Sequence, residues 1–223
     1  MRTSPPMPGL AGKRLERAIA KYVEMRSYEK AAMAEGCTLI AGIDEAGRGP
    51  LAGPVVACAC ILHPERPVYG VDDSKKLSAD KRDLLFELIR DRCVAYACGI
   101  EEAPDIDRIN ILNATKRAML QAVSQLHPRP DRLLIDAVDL KGSGIPVVPI
   151  IKGDALSVSI AAASILAKVT RDRIMEALDV QYPGYGFARH KGYGTAEHYE
   201  ALRRLGPCPA HRLTFLGSLD RHV

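Results

Sequence analysis

The chain lacks most of the features that would settle its class at once. No apolar run reaches transmembrane length; the longest, around Val55–Leu62 and Ile160–Ala167, are the size of a strand or a buried helix, short of the ~20 residues that span a bilayer. The first residues hold prolines and scattered bases where a signal peptide would hold a continuous apolar region. Six cysteines include no CxxC pair. Cys37, Cys58, Cys60, Cys93 and Cys98 sit in apolar, strand-like surroundings, so free buried thiols in a reducing cytoplasm are expected and Cys58-x-Cys60 is a weak metal pair. No Gly-Lys-Ser/Thr follows a glycine-rich turn, which excludes a P-loop. No Ser-His-Asp or Cys-His set is apparent, and there is no repeat or long low-complexity segment. Net charge is also small: +4 over 223 residues permits an anionic partner without requiring one. Residues 1–36 hold seven Lys/Arg against four Asp/Glu, and so most of that excess. What remains, 47% hydrophobic and 26% charged, is an ordinary soluble composition on a chain long enough for a sizeable core.

The chain is organised around Ile43-Asp44-Glu45-Ala46-Gly47-Arg48-Gly49-Pro50-Leu51-Ala52-Gly53-Pro54. The apolar run Leu39–Ile43 reads as a buried strand that delivers two adjacent acids into a Gly/Pro-rich turn. Neighbouring carboxylates repel, so burying them is costly unless a cation sits beside them, and hard ions such as Mg²⁺ and Mn²⁺ prefer such oxygen ligands. The glycines let backbone N–H groups approach an anion, and Arg48 adds a positive fork for phosphate. Metal ligands next to phosphate ligands is the pairing that phosphodiester chemistry requires. Gly47-x-Gly49-x-x-Ala52 also matches a dinucleotide-binding fingerprint, but Pro50, Gly53 and Pro54 oppose the helix that the fingerprint needs.

Residues 1–12 read as a disordered lead, and 13–36 as a small basic helical extension with Leu15, Ala18, Ile19 and Tyr22 on one face. Strands are expected at Thr38–Asp44, Val55–Leu62, Cys93–Glu101, Arg132–Asp136 and Val147–Ile151. Helices are expected at Ala79 to about Arg92 behind an Ser78 cap, about Ile109–Leu126 with Leu112, Met119, Ala122, Val123 and Leu126 on its apolar stripe, about Leu156–Leu178, and Thr195 to about Leu205. The pattern implies an α/β domain over 37–205, a mixed five-stranded sheet flanked by helices, with 206–223 as a C-terminal tail.

Asp136 ends the run Leu133-Leu134-Ile135, as Asp44 ends its own strand. If the two strands are parallel neighbours, both acids emerge on one sheet edge. Asp154 precedes the long helix, and its spacing alone leaves a metal role and a helix-dipole role level. Asp172 is a rival, but Lys168 four residues earlier and Arg171 and Arg173 alongside suit a solvated ion pair. Lys75 and Lys76, in a turn, and Asn110 and Asn113, at a helix start, are reasonable phosphate contacts.

The run Gly42–Val56 resembles the opening signature of ribonuclease HII, the type 2 ribonuclease H. The likeness continues through Asp73-Ser74-Lys75-Lys76-Leu77, Leu134-Ile135-Asp136-Ala137, Lys152-Gly153-Asp154, Ala161 to Lys168 and His190-Lys191-Gly192-Tyr193-Gly194-Thr195, covering about residues 37–205 in order. It implies the ribonuclease H-like fold, and cleavage of RNA in RNA–DNA hybrids together with nicking 5′ of ribonucleotides embedded in duplex DNA. It also implies a site in which Asp44, Glu45, Asp136 and Asp154 hold two Mg²⁺ or Mn²⁺ ions and leave 5′-phosphate and 3′-hydroxyl ends. The resemblance further assigns reading of the 2′-hydroxyl to the backbone of Gly47, Arg48 and Gly49 and to Tyr193. A cytoplasmic monomer is expected.

Overall fold

The computed structural model describes residues 10–217, so the expected lead lies largely outside the described residues, as does the end of the tail. Where the lead enters the structure it is ordered: Leu10 packs against the core and helix α1 (Gly12–Glu24) has already begun. The remaining elements are α2 (Ser27–Ala34), β1 (Ile40–Ala46), β2 (Val55–Ile61), α3 (Ala79–Arg92), β3 (Ala95–Glu101), α4 (Ala103–Ile109), α5 (Ile111–Ser124), β4 (Arg132–Asp136), β5 (Val147–Ile150), α6 (Gly153–Leu156), α7 (Val158–Gln181), α8 (Phe187–His190) and α9 (Ala196–Leu205).

The strands form one mixed sheet in the order β3-β2-β1-β4-β5. β1 runs antiparallel to β2, and β2 to β3, whereas β1–β4 and β4–β5 are parallel. β2 reads Val-Val-Ala-Cys-Ala-Cys-Ile because it is buried on both faces. Val56, Cys58 and Cys60 meet α3 and α7, while Ala57, Ala59 and Ile61 meet α5 with Met119 and Ala122. Gly42 explains how closely α7 lies on the sheet: a Cβ there would overlap the backbone of Ser159 and Ile160.

Two expectations need correction. Cys58 and Cys98 are not free thiols. They face each other in the β2–β3 register, Cα to Cα 4.1 Å, and are joined in a disulfide, while Cys60 stays free on the same face of β2 as Cys58. The helix expected over about 109–126 is two helices broken at Asn110, whose positive φ of 65° interrupts the helix and whose side-chain oxygen then accepts from Asn113 N–H to cap α5. The restart leaves Leu112 46% exposed, off the apolar stripe. The long helix begins close to where it is expected: Ser157 caps α7 with its hydroxyl on Ile160 N–H, and the short α6 precedes it.

The extension is seated on the sheet domain. Tyr22 and Met25 join the core that contains α7 and β2, Lys21 pairs with Asp72, and Val158 N–H donates to Met25 O at 3.2 Å.

Candidate active site

Parallel pairing of β1 with β4 places Ile43 beside Ile135. The next residue on each strand is an acid, so Asp44 and Asp136 are lateral neighbours at the carboxyl edge. Their side chains leave the sheet opposite Ile43 and Ile135, which belong to the α5 core. Asp44 is 6% exposed. Its carboxylate accepts from Glu45 N–H at 2.8 Å and from the Ser164 hydroxyl, which is itself 2.9 Å from the Ser74 hydroxyl. Asp136 accepts from Gly153 N–H at 2.8 Å, which draws the first turn of α6, and Asp154 with it, to the same edge. Burial first, and then repulsion from Glu45, holds the Asp44 carboxyl well above the ordinary carboxylate range. Burial also raises Glu45, against the opposing pull of Arg48. Asp154, 8% exposed, is raised by burial and by the charges of Asp73 and Asp136.

These carboxylates fit hard cations. Glu45 Oε1 is 3.3 Å from Arg48 Nη1, while Glu45 Oε2 is buried with no hydrogen-bond partner. A buried carboxylate oxygen left bare among three further acids lacks a positive charge, and every donor in the set is oxygen. The cluster is open rather than caged: among the described residues no three acid, histidine or cysteine side chains already converge on one ion.

Beside the acids lies a cleft of about 270 Å³, lined by Asp44, Glu45, Gly47–Gly49, Ser74, Lys75, Lys168, Arg171 and Tyr193. No helix follows Gly47–Gly49; the chain loops through 50–54 into β2, which removes the dinucleotide reading. Gly47 has a φ of 95°, and a Cβ there would strike the Arg171 side chain, so only glycine fits. Tyr193 is 48% exposed, and its ring edge lies where a Cβ added at Gly49 would be in ordinary van der Waals contact with it.

The other expected contacts divide. Lys75 lines the cleft, whereas Lys76 lies outside it, 3.8 Å from Asp73. Asn110 and Asn113 also lie outside, engaged at the α4–α5 break, with Asn113 Nδ2 donating to Ile109 O at 3.0 Å. Asp172 is ion-paired as expected, with Lys168 at 2.6 Å and Arg82 at 4.0 Å, but its side chain is only 15% exposed and so is not solvated. His190 turns inward, 2.8 Å from Tyr185 O, and Lys191 pairs with Glu176.

The sequence model of the family described as Ribonuclease HII matches residues 41–217, which span every one of these acids, the glycine-rich loop and Tyr193. The chain belongs to the ribonuclease HII family. Relatives named Ribonuclease HII include that of Acetivibrio thermocellus, 56% identical over 200 residues that cover 90% of this chain and 78% of the relative. Another, from Geobacter metallireducens, is 56% identical over 197 residues, covering 88% and 92%. The fold is similar to that of the ribonuclease H2 of Pyrococcus horikoshii, with a TM-score of 0.69 and 27% identity over 83% of this chain and 98% of that one. It is also similar to the structure titled as the PCNA:RNase HII complex of Archaeoglobus fulgidus, at 0.67 and 28% over 79% and 94%. The mixed sheet and the helices around it are therefore those of a type 2 ribonuclease H.

Two contributors to this site were not legible beforehand. Ser164, inside the Ala161–Lys168 run, ties Asp44 to the Ser74 turn. Arg171, flanked by charged neighbours, read as a surface residue; it is instead buried, donating to Ala52 O (3.1 Å), Pro54 O (2.9 Å) and Lys191 O (3.0 Å). An arginine satisfied wholly by backbone carbonyls carries no sequence pattern of its own.

Proposed function

We propose that the chain is an endonuclease that hydrolyses the RNA strand of RNA–DNA hybrids and nicks duplex DNA 5′ of embedded ribonucleotides, using Mg²⁺ or Mn²⁺. The observation that carries this reading is the bare, buried Glu45 Oε2 beside Asp44, two residues before a glycine-rich loop that lines the same cleft. On this reading Asp44, Glu45, Asp136 and Asp154 hold the ions. When bound, a pair of divalent cations lowers the pKa of an attacking water and neutralises the leaving oxygen. Ser164 and Gly153 N–H orient Asp44 and Asp136, and Lys75 and Lys168 place positive charge where the phosphate backbone enters. The backbone of Gly47, Arg48 and Gly49 reads the 2′-hydroxyl while Tyr193 packs on the adjoining sugar. All four acids come from one chain, so a monomer suffices. No helix among the described residues is long and apolar enough to cross a membrane.

The test is a nicking assay on a duplex with a single ribonucleotide, beside an all-DNA control. Cleavage that a chelator abolishes and Mg²⁺ or Mn²⁺ restores, leaving 5′-phosphate and 3′-hydroxyl ends at the ribonucleotide only, is expected. Ion-independent cleavage, or equal cutting of the control, would refute the assignment.

A further inference from the structure

After α9 the chain places two consecutive side chains that the reading above leaves without a task, His211 and Arg212. Both are buried. Their backbone lies along the glycine-rich loop: Gly53 N–H donates to Ala210 O and Arg212 N–H to Leu51 O, each at 2.8 Å, and Ala52 bridges His211. Leu51 N–H in turn donates to Gly192 O at 2.8 Å, one residue before Tyr193. Three separate stretches of chain thus meet beneath the cleft.

Arg212 spends its whole guanidinium on this loop. Nε donates to Gly53 O (3.0 Å), Nη1 to Arg48 O (3.0 Å), and Nη2 to Gly47 O (2.6 Å) and Gly53 O (2.8 Å). In a trans peptide the C=O of one residue and the N–H of the next point in opposite directions. Drawing the Gly47 and Arg48 carbonyls down onto Arg212 therefore turns the N–H groups of Arg48 and Gly49 the other way, toward the cleft. Asp107 anchors the segment by accepting from Leu213 N–H (2.7 Å) and Thr214 N–H (3.0 Å).

His211 acts on the other side. Tyr193 O can only accept, so His198 Nδ1, 2.9 Å away, carries a proton and donates to it. Burial keeps both rings neutral, pushing His198 down to about 4 and lowering His211. His198 Nε2 is then bare and accepts from His211 Nε2 at 3.0 Å, and His211 Nδ1 accepts from Cys208 N–H at 2.9 Å. One proton arrangement satisfies the whole chain from Cys208 to Tyr193. His190 stacks on His198 and accepts from Gly192 N–H at 3.2 Å.

We propose that His211 and Arg212 are positioning residues for sugar recognition: Arg212 aims the Arg48 and Gly49 N–H groups, His211 holds the Tyr193 backbone through His198, and the dipeptide fixes the spacing between them. This rests on the assignment of Gly47–Gly49 and Tyr193 as the 2′-hydroxyl reader. A merely structural role predicts lost stability and nothing else.

A double-mutant cycle on kcat/KM for nicking the single-ribonucleotide duplex separates the two, with each variant corrected for its folded fraction by circular dichroism. His211→Gln keeps a donor near the place of Nε2, whereas the shorter His211→Asn cannot reach His198. Losing one buried hydrogen bond that acts through a shared partner should make His211→Asn lower kcat/KM about 10-fold alone but less than about twofold on a Tyr193→Ala background. His211→Gln should stay near the parent. Equal losses for His211→Asn on both backgrounds, or equal behaviour of Asn and Gln, overturn the inference while leaving the reader assignment intact. Parent-like nicking by Tyr193→Ala overturns both. Should His211→Asn not fold, His198→Asn, which keeps the donor to Tyr193 and drops the link to His211, is read in the same cycle with the same expected coupling. Arg212→Lys keeps the charge but offers one nitrogen in place of three. It should lower kcat more than it raises KM, and parent-like values would overturn the Arg212 half.

Discussion

Glu29 of α2 offers a sharp test of what the N-terminal extension does for the fold. It is 4% exposed, and its Oε1 accepts from the Ser157 hydroxyl at 2.6 Å and from Ser159 N–H at 3.0 Å. Both donors sit at the start of α7, the 24-residue helix that packs on β1 and β2. A carboxylate there satisfies one of the helix's unpaired N–H groups and meets the positive end of its dipole. Glu29→Ala removes two hydrogen bonds to a charged acceptor and leaves a buried N–H and hydroxyl to fend for themselves. Against this stands the cost of a second oxygen, Oε2, buried without a partner. The net loss should be about 3 kcal/mol, and at about 2–4 °C per kcal/mol for a chain of this size the melting temperature should fall by about 6–12 °C. Glu29→Gln keeps the Oε1 acceptor without the charge and should fall between the two, near 1 kcal/mol below the parent by the same ~0.5–1.5 kcal/mol scale for neutral bonds. Thermal melts of the metal-free protein and urea midpoints at constant m-value measure both variants. Nicking at 25 °C should be unchanged for both, since Glu29 does not line the cleft. A Glu29→Ala melting temperature within about 1 °C of the parent would refute the reasoning, because a buried carboxylate whose bonds balance its desolvation is the alternative. A Glu29→Gln protein more stable than the parent would do the same.

Four further outcomes follow from the site and the extension. Asp44 is held above its ordinary value by burial and then by Glu45, so the folded chain binds that proton more tightly than the unfolded one; metal-free stability should fall as pH rises from about 4 through the raised value. Asp44→Asn should flatten that fall in melts across pH 4–8, raise the metal-free melting temperature at pH 7, and abolish nicking; appreciable turnover at saturating metal would remove Asp44 from the metal site. Asp154→Asn should cost activity severely or shift the metal requirement, whereas Asp172→Asn, which breaks only the pairs with Lys168 and Arg82, should cost little in the same assay. Tyr193→Ala should lower kcat/KM at a single ribonucleotide about 100-fold through misplacement of the scissile phosphate, with little change in melting temperature. If exposed Lys13, Arg14 and Arg17 contact backbone phosphates, their joint replacement by Gln should flatten the dependence of log K on log salt by roughly 2–3 units; an unchanged slope would leave the extension with the packing role of Tyr22, Met25 and Glu29 alone.

The strands were legible because each is announced by a short apolar run between Gly, Pro or charged residues, and β4 matches its expected bounds. The lateral pairing of Asp44 with Asp136 followed from two runs each ending in an acid, given parallel neighbours. What stayed hidden depends on distant partners. The break at Asn110 interrupts a sequence whose apolar spacing continues through it. Cys58 and Cys98 are 40 residues apart and meet only through strand register. Arg171 and Arg212 look like solvent-facing charges because their partners are main-chain oxygens, which no residue type betrays. His198 and His211 were likewise invisible as a pair, since nothing in their spacing announces a shared proton chain.

The antiparallel turn from β1 to β2 bears on where a nucleic-acid strand would be cut. Glu45 is the penultimate residue of β1 and Gly47 opens the loop, with Ala46 alone between them. On the proposed reading, the group that positions the reacting phosphate and the group that senses the sugar are thus carried on one rigid peptide, anchored by the β1–β2 ladder on one side and by Arg171 and Arg212 beneath. Their separation is a bond-length quantity rather than the sum of independent domain movements. Breathing of the cleft, or a shift of the extension, would displace both together and leave the phosphate that is cut in fixed register with the ribose that is recognised.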